Sequence, residues 1–219
     1  MTSILPDTIK PATLLSKRFR FDQIPDLSGR VAIVTGGSAG IGYFTALPLA
    51  RAGATVIILS ANEEKGKSTE AEINRELKGL ASYGSVTWEG VDLADLNAVN
   101  ALAKRLAEEL ERLDLFIANA GIGQAPYGLT SDGLERHFEV SKHWMKAHST
   151  CLNIFKVNNL SHHLLIMRLL PIMKKTAQIA PPATVRVIMQ SSEMHRLAPG
   201  GTKFLNREEI NQERDGSQL

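Results

Sequence analysis

Cysteine is almost missing from this chain: Cys151 stands alone among 219 residues. A single thiol closes no disulfide and builds no thiolate zinc site, and it makes a reducing, cytoplasmic setting the expectation. Long apolar runs are missing too. The greasiest stretch, Leu164–Met173, is broken by Arg168 and Pro171 and falls far short of the ~20 residues that span a bilayer. The opening residues MTSILPDTIKPATLL carry Pro6 and Pro11 and no apolar core, so no signal peptide is expected. Neither sign of charge dominates. The formal net charge is +2, and Lys and Arg are dispersed except for a small knot at Lys17, Arg18 and Arg20. No nucleic acid and no anionic membrane is expected as partner. His137, His143 and His148 lie close in sequence, but their spacing does not align them on one helix face. No carboxylate cluster accompanies them, so no metal is expected. Internal repeats and low-complexity segments are absent.

What is present is alternation. After a polar, proline-marked leader over residues 1–28, short apolar runs and helical spacings take turns through residues 29–219, as one α/β domain. VAIVT at 31–35, TVIIL at 55–59, residues 86–91, LFIA at 115–118 and VRVIM at 185–189 read as five buried strands. Residues 41–52, 63–80 and 158–173 read as helices. Leu96, Val99, Leu102, Leu106, Leu110 and Leu113 recur at helical intervals, a core stripe rather than a zipper. Continuous apolar strands imply burial on both faces, hence a parallel, doubly wound sheet with helices on each side. Pro48 falls inside the first helix, where it removes a backbone donor and is expected to kink it.

The first strand runs into TGGSAGIG, Thr35–Gly42, and then directly into a helix. Glycines at 36, 40 and 42 allow a tight turn and close approach of a ligand. The helix N-terminus beyond offers free N–H groups and a positive dipole end to a pyrophosphate. Between the first strand and first helix of an alternating chain, this pattern points to nucleotide binding.

The spacing Thr-Gly-x-x-x-Gly-x-Gly resembles the opening of the short-chain dehydrogenase/reductase family. VDL at 91–93, ANAG at 118–121 and the serine pair Ser191-Ser192 resemble later motifs of that family, in the same order. The resemblance covers Leu27 to Ser192 and implies a Rossmann-type sheet binding a nicotinamide cofactor, with an alcohol or ketone as the small-molecule substrate. By resemblance, Gly36, Ser38, Gly40, Ile41 and Gly42 line the pyrophosphate and Ser60 the adenosine ribose. Asp92 meets the adenine; Asn119 steadies the central sheet and lines the cofactor site with Gly121. Ser192 inherits the catalytic serine's role of orienting the substrate oxygen. Asn158, in VNNLSHH, inherits that of the asparagine holding a relay water, and Ser161 replaces a glycine there. Ser60 is no acid that would repel a 2′-phosphate. Ser60 and Asn62 offer it donors, with Lys65 near, so NADP is expected over NAD.

Family members place a Tyr, followed four residues on by a Lys, after the serine. Tyr43, Tyr83 and Tyr127 all precede it, and none has Lys at that spacing. The expectation is a chain truncated before that pair, with about five of the family's seven strands, inactive in hydride transfer and exposing the apolar fifth strand as an edge. That edge is expected to drive homo-oligomerisation or aggregation. A non-catalytic dinucleotide-binding or scaffold protein and a defective gene product are the alternatives. His162 and His163 read as helix-surface or core-edge residues, His195 as a loop residue and Cys151 as an inert thiol. Residues 140–157 read as an insertion: excision of 17 of them, Val140–Lys156, joins HFEV to NNL in an unbroken helical pattern. Val140-Ser141 and Lys156 are codable as splice-site sequences, so a retained intron is the hypothesis.

Overall fold

A computed structural model of the chain describes residues 21–80, 84–122, 156–182 and 184–191. The apolar runs become strands β1 Val31–Thr35, β2 Thr55–Ser60, β3 Ser85–Gly90, β4 Leu115–Ala118 and β5 Arg186–Met189. Between them lie α1 Gly40–Arg51, α2 Glu63–Leu77, α3 Leu96–Glu109 and α4 Ser161–Ile179, the last preceded by a π turn, Lys156–Leu160. The sheet order is β3-β2-β1-β4-β5 and every pairing is parallel. The chain winds outward from β1 to β3, then crosses back to β4 on the other side of β1. The crevice between the carboxyl ends of β1 and β4 is therefore the switch point where parallel α/β sheets hold ligands. This is the doubly wound α/β architecture expected from the sequence.

Alternation along each strand divides the core in two. Ile33, Ile57, Leu59 and Phe116 face one side, under Val99, Leu102 and Leu106 of α3 and Leu165, Leu169 and Met173 of α4. Ala32, Val34, Val56 and Ile58 face the other, under Ala46, Leu47 and Ala50 of α1 and Ile73 and Leu77 of α2. Burial on both faces is why these strands read as unbroken apolar runs.

Polar side chains fix the sheet's margins. The Asn74 amide of α2 brackets Val86 on edge strand β3, donating to its carbonyl (2.7 Å) and accepting from its N–H (2.9 Å). The Trp88 N–H donates to Glu70, so the edge is partly capped by its own helix. At the amino end of the sheet the carboxylate of Asp114, 0% exposed, accepts from Arg112 at 2.6 and 2.9 Å and from the Val31 N–H at 3.0 Å. The Asp114 backbone bonds to Val31 on one side and Arg186 on the other, joining β1, β4 and β5. Among the described residues β5 is the opposite edge, and all four of its residues are exposed, including Val187, Ile188 and Met189.

Several element boundaries depart from the sequence reading. The helix expected over 158–173 starts three residues later, after the π turn, and runs on to Ile179. Ile172, Met173 and Thr176 stay buried beyond Pro171, so the core-facing stripe carries the helix past Met173 and the exposed Lys174-Lys175 pair. Helix α3 stops at Glu109; Leu113, counted in its stripe, is buried in the turn entering β4. Helix α1 runs through the buried Pro48 to Arg51. Of the insertion, residues 140–155 lie outside the described residues, as do His137, Ser192 and His195.

Candidate functional site

The glycine turn leaves β1 with Gly36 at φ 66° and enters α1 with Gly40 at φ 50°, both left-handed conformations that favour glycine. Packing adds a second requirement. A Cβ on Gly36 would lie 2.9 Å from the Ala120 Cα, and one on Gly42 would lie 2.2 Å from the Gly36 carbonyl oxygen and 2.6 Å from Asn119 Nδ2. Turn, helix start and β4 exit thus meet backbone to backbone. Gly40 is the opposite case: nothing lies within 4 Å of its Cβ direction. The N-cap residue Ala39 supplies no side-chain cap, whereas Asn62 caps α2 and Asp95 caps α3. The α1 terminus therefore has open space at Gly40 and amides that no cap side chain satisfies, a cradle that fits a pyrophosphate.

Thr35, the last residue of β1, is the hub below this turn. Its hydroxyl oxygen accepts from the backbone N–H groups of Asn119 (2.9 Å) and Ala120 (2.8 Å). Asn119 returns a bond, its Nδ2 donating to the Thr35 carbonyl at 2.9 Å. His162 Nε2 lies 2.8 Å from the same hydroxyl, and His162 Nδ1 lies 3.0 Å from the Asn158 carbonyl. The His162 ring is 1% exposed, and burial pushes its pKa below the ordinary imidazole value, opposed by the bond to Asn158. The Asn158 amide clasps Ile122, accepting from its N–H at 2.9 Å and donating to its carbonyl at 3.2 Å. Gly121 lies against it, a Cβ there falling 3.5 Å from Asn158 Oδ1. Ser161, buried at the start of α4, donates its hydroxyl to the Leu93 carbonyl.

At the end of β2 the Ser60 hydroxyl oxygen accepts from the Trp88 indole N–H at 3.0 Å, which leaves the Ser60 O–H free to donate. Asn62 spends its Oδ1 on the Lys65 N–H as the α2 cap, so its NH2 is the end available for a ligand. Ser38, Asn62, Lys65 and Thr69 line one cleft, closed by Tyr43 and Glu72. The Tyr43 O–H donates to Glu72, and burial first, then that carboxylate, raises the Tyr43 pKa. Asp92 follows β3 and takes the Ala94 N–H on Oδ1.

Among the described residues, those singled out in sequence thus fall along the carboxyl edge of the sheet. Gly36, Gly42, Asn119, Gly121 and Asn158 form one connected cluster. Ser38 and Ser60 sit towards β2 and α2, Asp92 after β3, and exposed Ile41 beside Gly40. Sequence reasoning missed Thr35, Trp88 and His162. The histidine pair splits: His163 is exposed, but His162 lies inside rather than at a surface or core edge. Helical spacing alone held the signal, since His162 precedes Leu165 and Leu169 on the buried stripe of α4. Among the described residues no cluster of His, Cys, Asp and Glu has a metal-holding arrangement.

The family model described as short chain dehydrogenase matches residues 30–181, and the chain belongs to that family. An uncharacterized oxidoreductase of Schizosaccharomyces pombe is 35% identical over 198 residues, covering 90% of this chain and 52% of that protein. Retinol dehydrogenase 12 of Mus musculus is 36% identical over 173 residues, covering 79% and 45%. Among solved structures, the Pseudomonas aeruginosa RhlG/NADP active-site complex is 28% identical with a TM-score of 0.52, covering 74% of this chain and 52% of that one. The chain spans about half the length of the curated relatives it matches.

Proposed function

We propose that this chain is the dinucleotide-binding portion of an oxidoreductase that moves hydride between NADP(H) and an alcohol or carbonyl substrate. The observation that carries the reading is the cradle at the switch point: an uncapped helix start, an open Gly40, and a turn packed so closely that side chains at Gly36 and Gly42 have no room. In this reading Gly36, Ser38, Gly40, Ile41 and Gly42 hold the pyrophosphate. Asp92 meets the adenine, and Asn119 and Gly121 lie beside the nicotinamide half. Ser192 orients the substrate oxygen. Asn158, its side-chain amide held by Ile122, takes the place of the asparagine that holds a relay water.

NADP over NAD is supported by the donors gathered near the end of β2: the Ser60 hydroxyl, the Asn62 amide and the Lys65 ammonium. An NADP complex among the similar structures fits it. A retinol dehydrogenase among the relatives supports an alcohol as substrate. The lone Cys151 supports a cytoplasmic setting. Among the described residues no helix is long and apolar enough to cross a membrane.

Hydride transfer needs a proton donor or acceptor at the substrate oxygen. The 219 residues hold no Tyr with Lys four positions on, so the part of the reading that they test is cofactor binding. Fluorescence titration with NADPH and NADH tests the binding. NADPH is expected to bind more tightly, and Ser60→Asp to invert the order by repelling the 2′-phosphate. Tighter NADH binding by the wild type overturns the cofactor preference; binding of neither overturns the function.

A further inference from the structure

His162 is a polar ring in a buried position, and such a group is stable there when its nitrogens are bonded. Its surroundings allow one arrangement. The Asn158 carbonyl only accepts, so Nδ1 carries the proton and donates to it. In a neutral ring Nε2 is then an acceptor, and the Thr35 O–H donates to it. That leaves the Thr35 oxygen two lone pairs, and the N–H groups of Asn119 and Ala120 take one each. Every donor and acceptor in this set is used once. The other tautomer turns a bare Nδ1 towards the Asn158 oxygen, crowds three donors onto the Thr35 oxygen, and sends its proton to the Ile117 carbonyl at 3.4 Å.

We propose that His162 is a positioning residue of the dinucleotide site: as the neutral Nδ1–H tautomer it sets the Thr35 hydroxyl and the Asn158 carbonyl, and through them places backbone 119–122 beside the cofactor. One arm runs from Nε2 through Thr35 to Asn119 and Ala120, which pack directly on Gly36. The other runs from Nδ1 through Asn158, in the π turn, to the backbone of Ile122. The histidine touches no reacting atom. It joins α4 to the two segments that form one wall of the switch-point crevice.

Protonation breaks the set, because a second N–H would point at an oxygen whose lone pairs are already taken. The groups bonded to the ring are Thr35 from β1 and Asn158 from the π turn, and those behind Thr35 are the Ile117 carbonyl and the Asn119 and Ala120 N–H groups. None of them titrates, and no charged side chain among the described residues acts on the ring. Protonation of this histidine therefore lowers dinucleotide affinity.

The proposal rests on the dinucleotide reading, and one experiment separates the two. NADPH binding to the 219-residue chain is measured against pH for the wild type, His162→Phe and His162→Gln, with folding of each checked by circular dichroism. Phe fills the space without bonds and is expected to weaken binding about tenfold or more at neutral pH. Gln keeps an acceptor for Thr35 and is expected to stay within about threefold of the wild type. Wild-type affinity is expected to fall as the imidazole protonates, by more than the fall that the Phe variant shares through the 2′-phosphate of the ligand. No binding by the wild type overturns both the function and this inference. Unchanged binding by a folded Phe variant overturns the inference alone. Should the Phe variant not fold, nitrogen-15 spectra of wild-type His162 decide: a proton on Nδ1 supports the inference and one on Nε2 overturns it.

Discussion

Replacing Gly42 by alanine sets two known effects against each other. Within a helix, Gly→Ala gains about 1 kcal/mol from propensity. The new methyl carbon, however, would stand 2.2 Å from the Gly36 carbonyl oxygen and 2.6 Å from Asn119 Nδ2. The first of these is backbone, held in place because the Gly36 N–H donates to the Leu59 carbonyl at 2.7 Å. Overpacking costs about 1–3 kcal/mol, and a rigid backbone neighbour puts this site at the upper end. The clash wins, for a net loss of about 2 kcal/mol and a fall in Tm of roughly 4–8 °C for a domain of this size. NADPH affinity falls with it, since the displaced Gly36 carbonyl and Asn119 amide border the cradle. Gly79→Ala is the control, with nothing within 4 Å of its Cβ direction and a stability within about 0.5 kcal/mol of wild type expected. Urea unfolding followed by circular dichroism reads both. A Gly42→Ala chain more stable than the wild type would show that propensity alone governs the site, and would refute the close packing of turn, helix and β4 exit.

Two further outcomes bear on the supporting structure. Asp114→Ala removes a fully buried carboxylate and strands the Val31 N–H and Arg112. A loss of about 3 kcal/mol is expected, at the low end for a buried pair because Arg112 is partly exposed; a loss below about 1 kcal/mol in urea unfolding contradicts the network. His162 makes stability depend on pH. Its pKa is lowered on folding, so below about pH 6.5 the unfolded chain binds a proton that the folded chain refuses. Its contribution is complete above that pH and is lost as pH falls towards the folded pKa, at no more than about 1.4 kcal/mol per pH unit. Unfolding of wild type and His162→Phe between about pH 5.5 and 7.5 isolates it; parallel curves contradict the assignment.

The strands were legible because VAIVT and LFIA are apolar runs bounded by polar or glycine turns, and their limits match β1 and β4 to the residue. The glycine turn was legible for a related reason, since positive φ and backbone contact both demand glycine. The bonds beneath it were not legible. Thr35 and His162 meet across a separation of 127 residues, and nothing local in either residue's neighbours marks the pairing. The same is true of Trp88, whose indole reaches Ser60 across the β2–β3 pair. Boundaries failed where tertiary burial overrode local cues, as at Thr176. That residue looks like the end of a helix, yet its buried hydroxyl donates to the Ile172 carbonyl and accepts from the Leu113 N–H.

In the proposed function the crevice between β1 and β4 holds a dinucleotide. Titrating the nitrogen-15-labelled 219-residue chain with NADPH and following its amide resonances tests this most directly. The largest shifts are expected at Gly36–Gly42 and Asn119–Ile122, with smaller ones at Ser60 and Asp92. Shifts confined to other surfaces, or none at saturating NADPH, would contradict it.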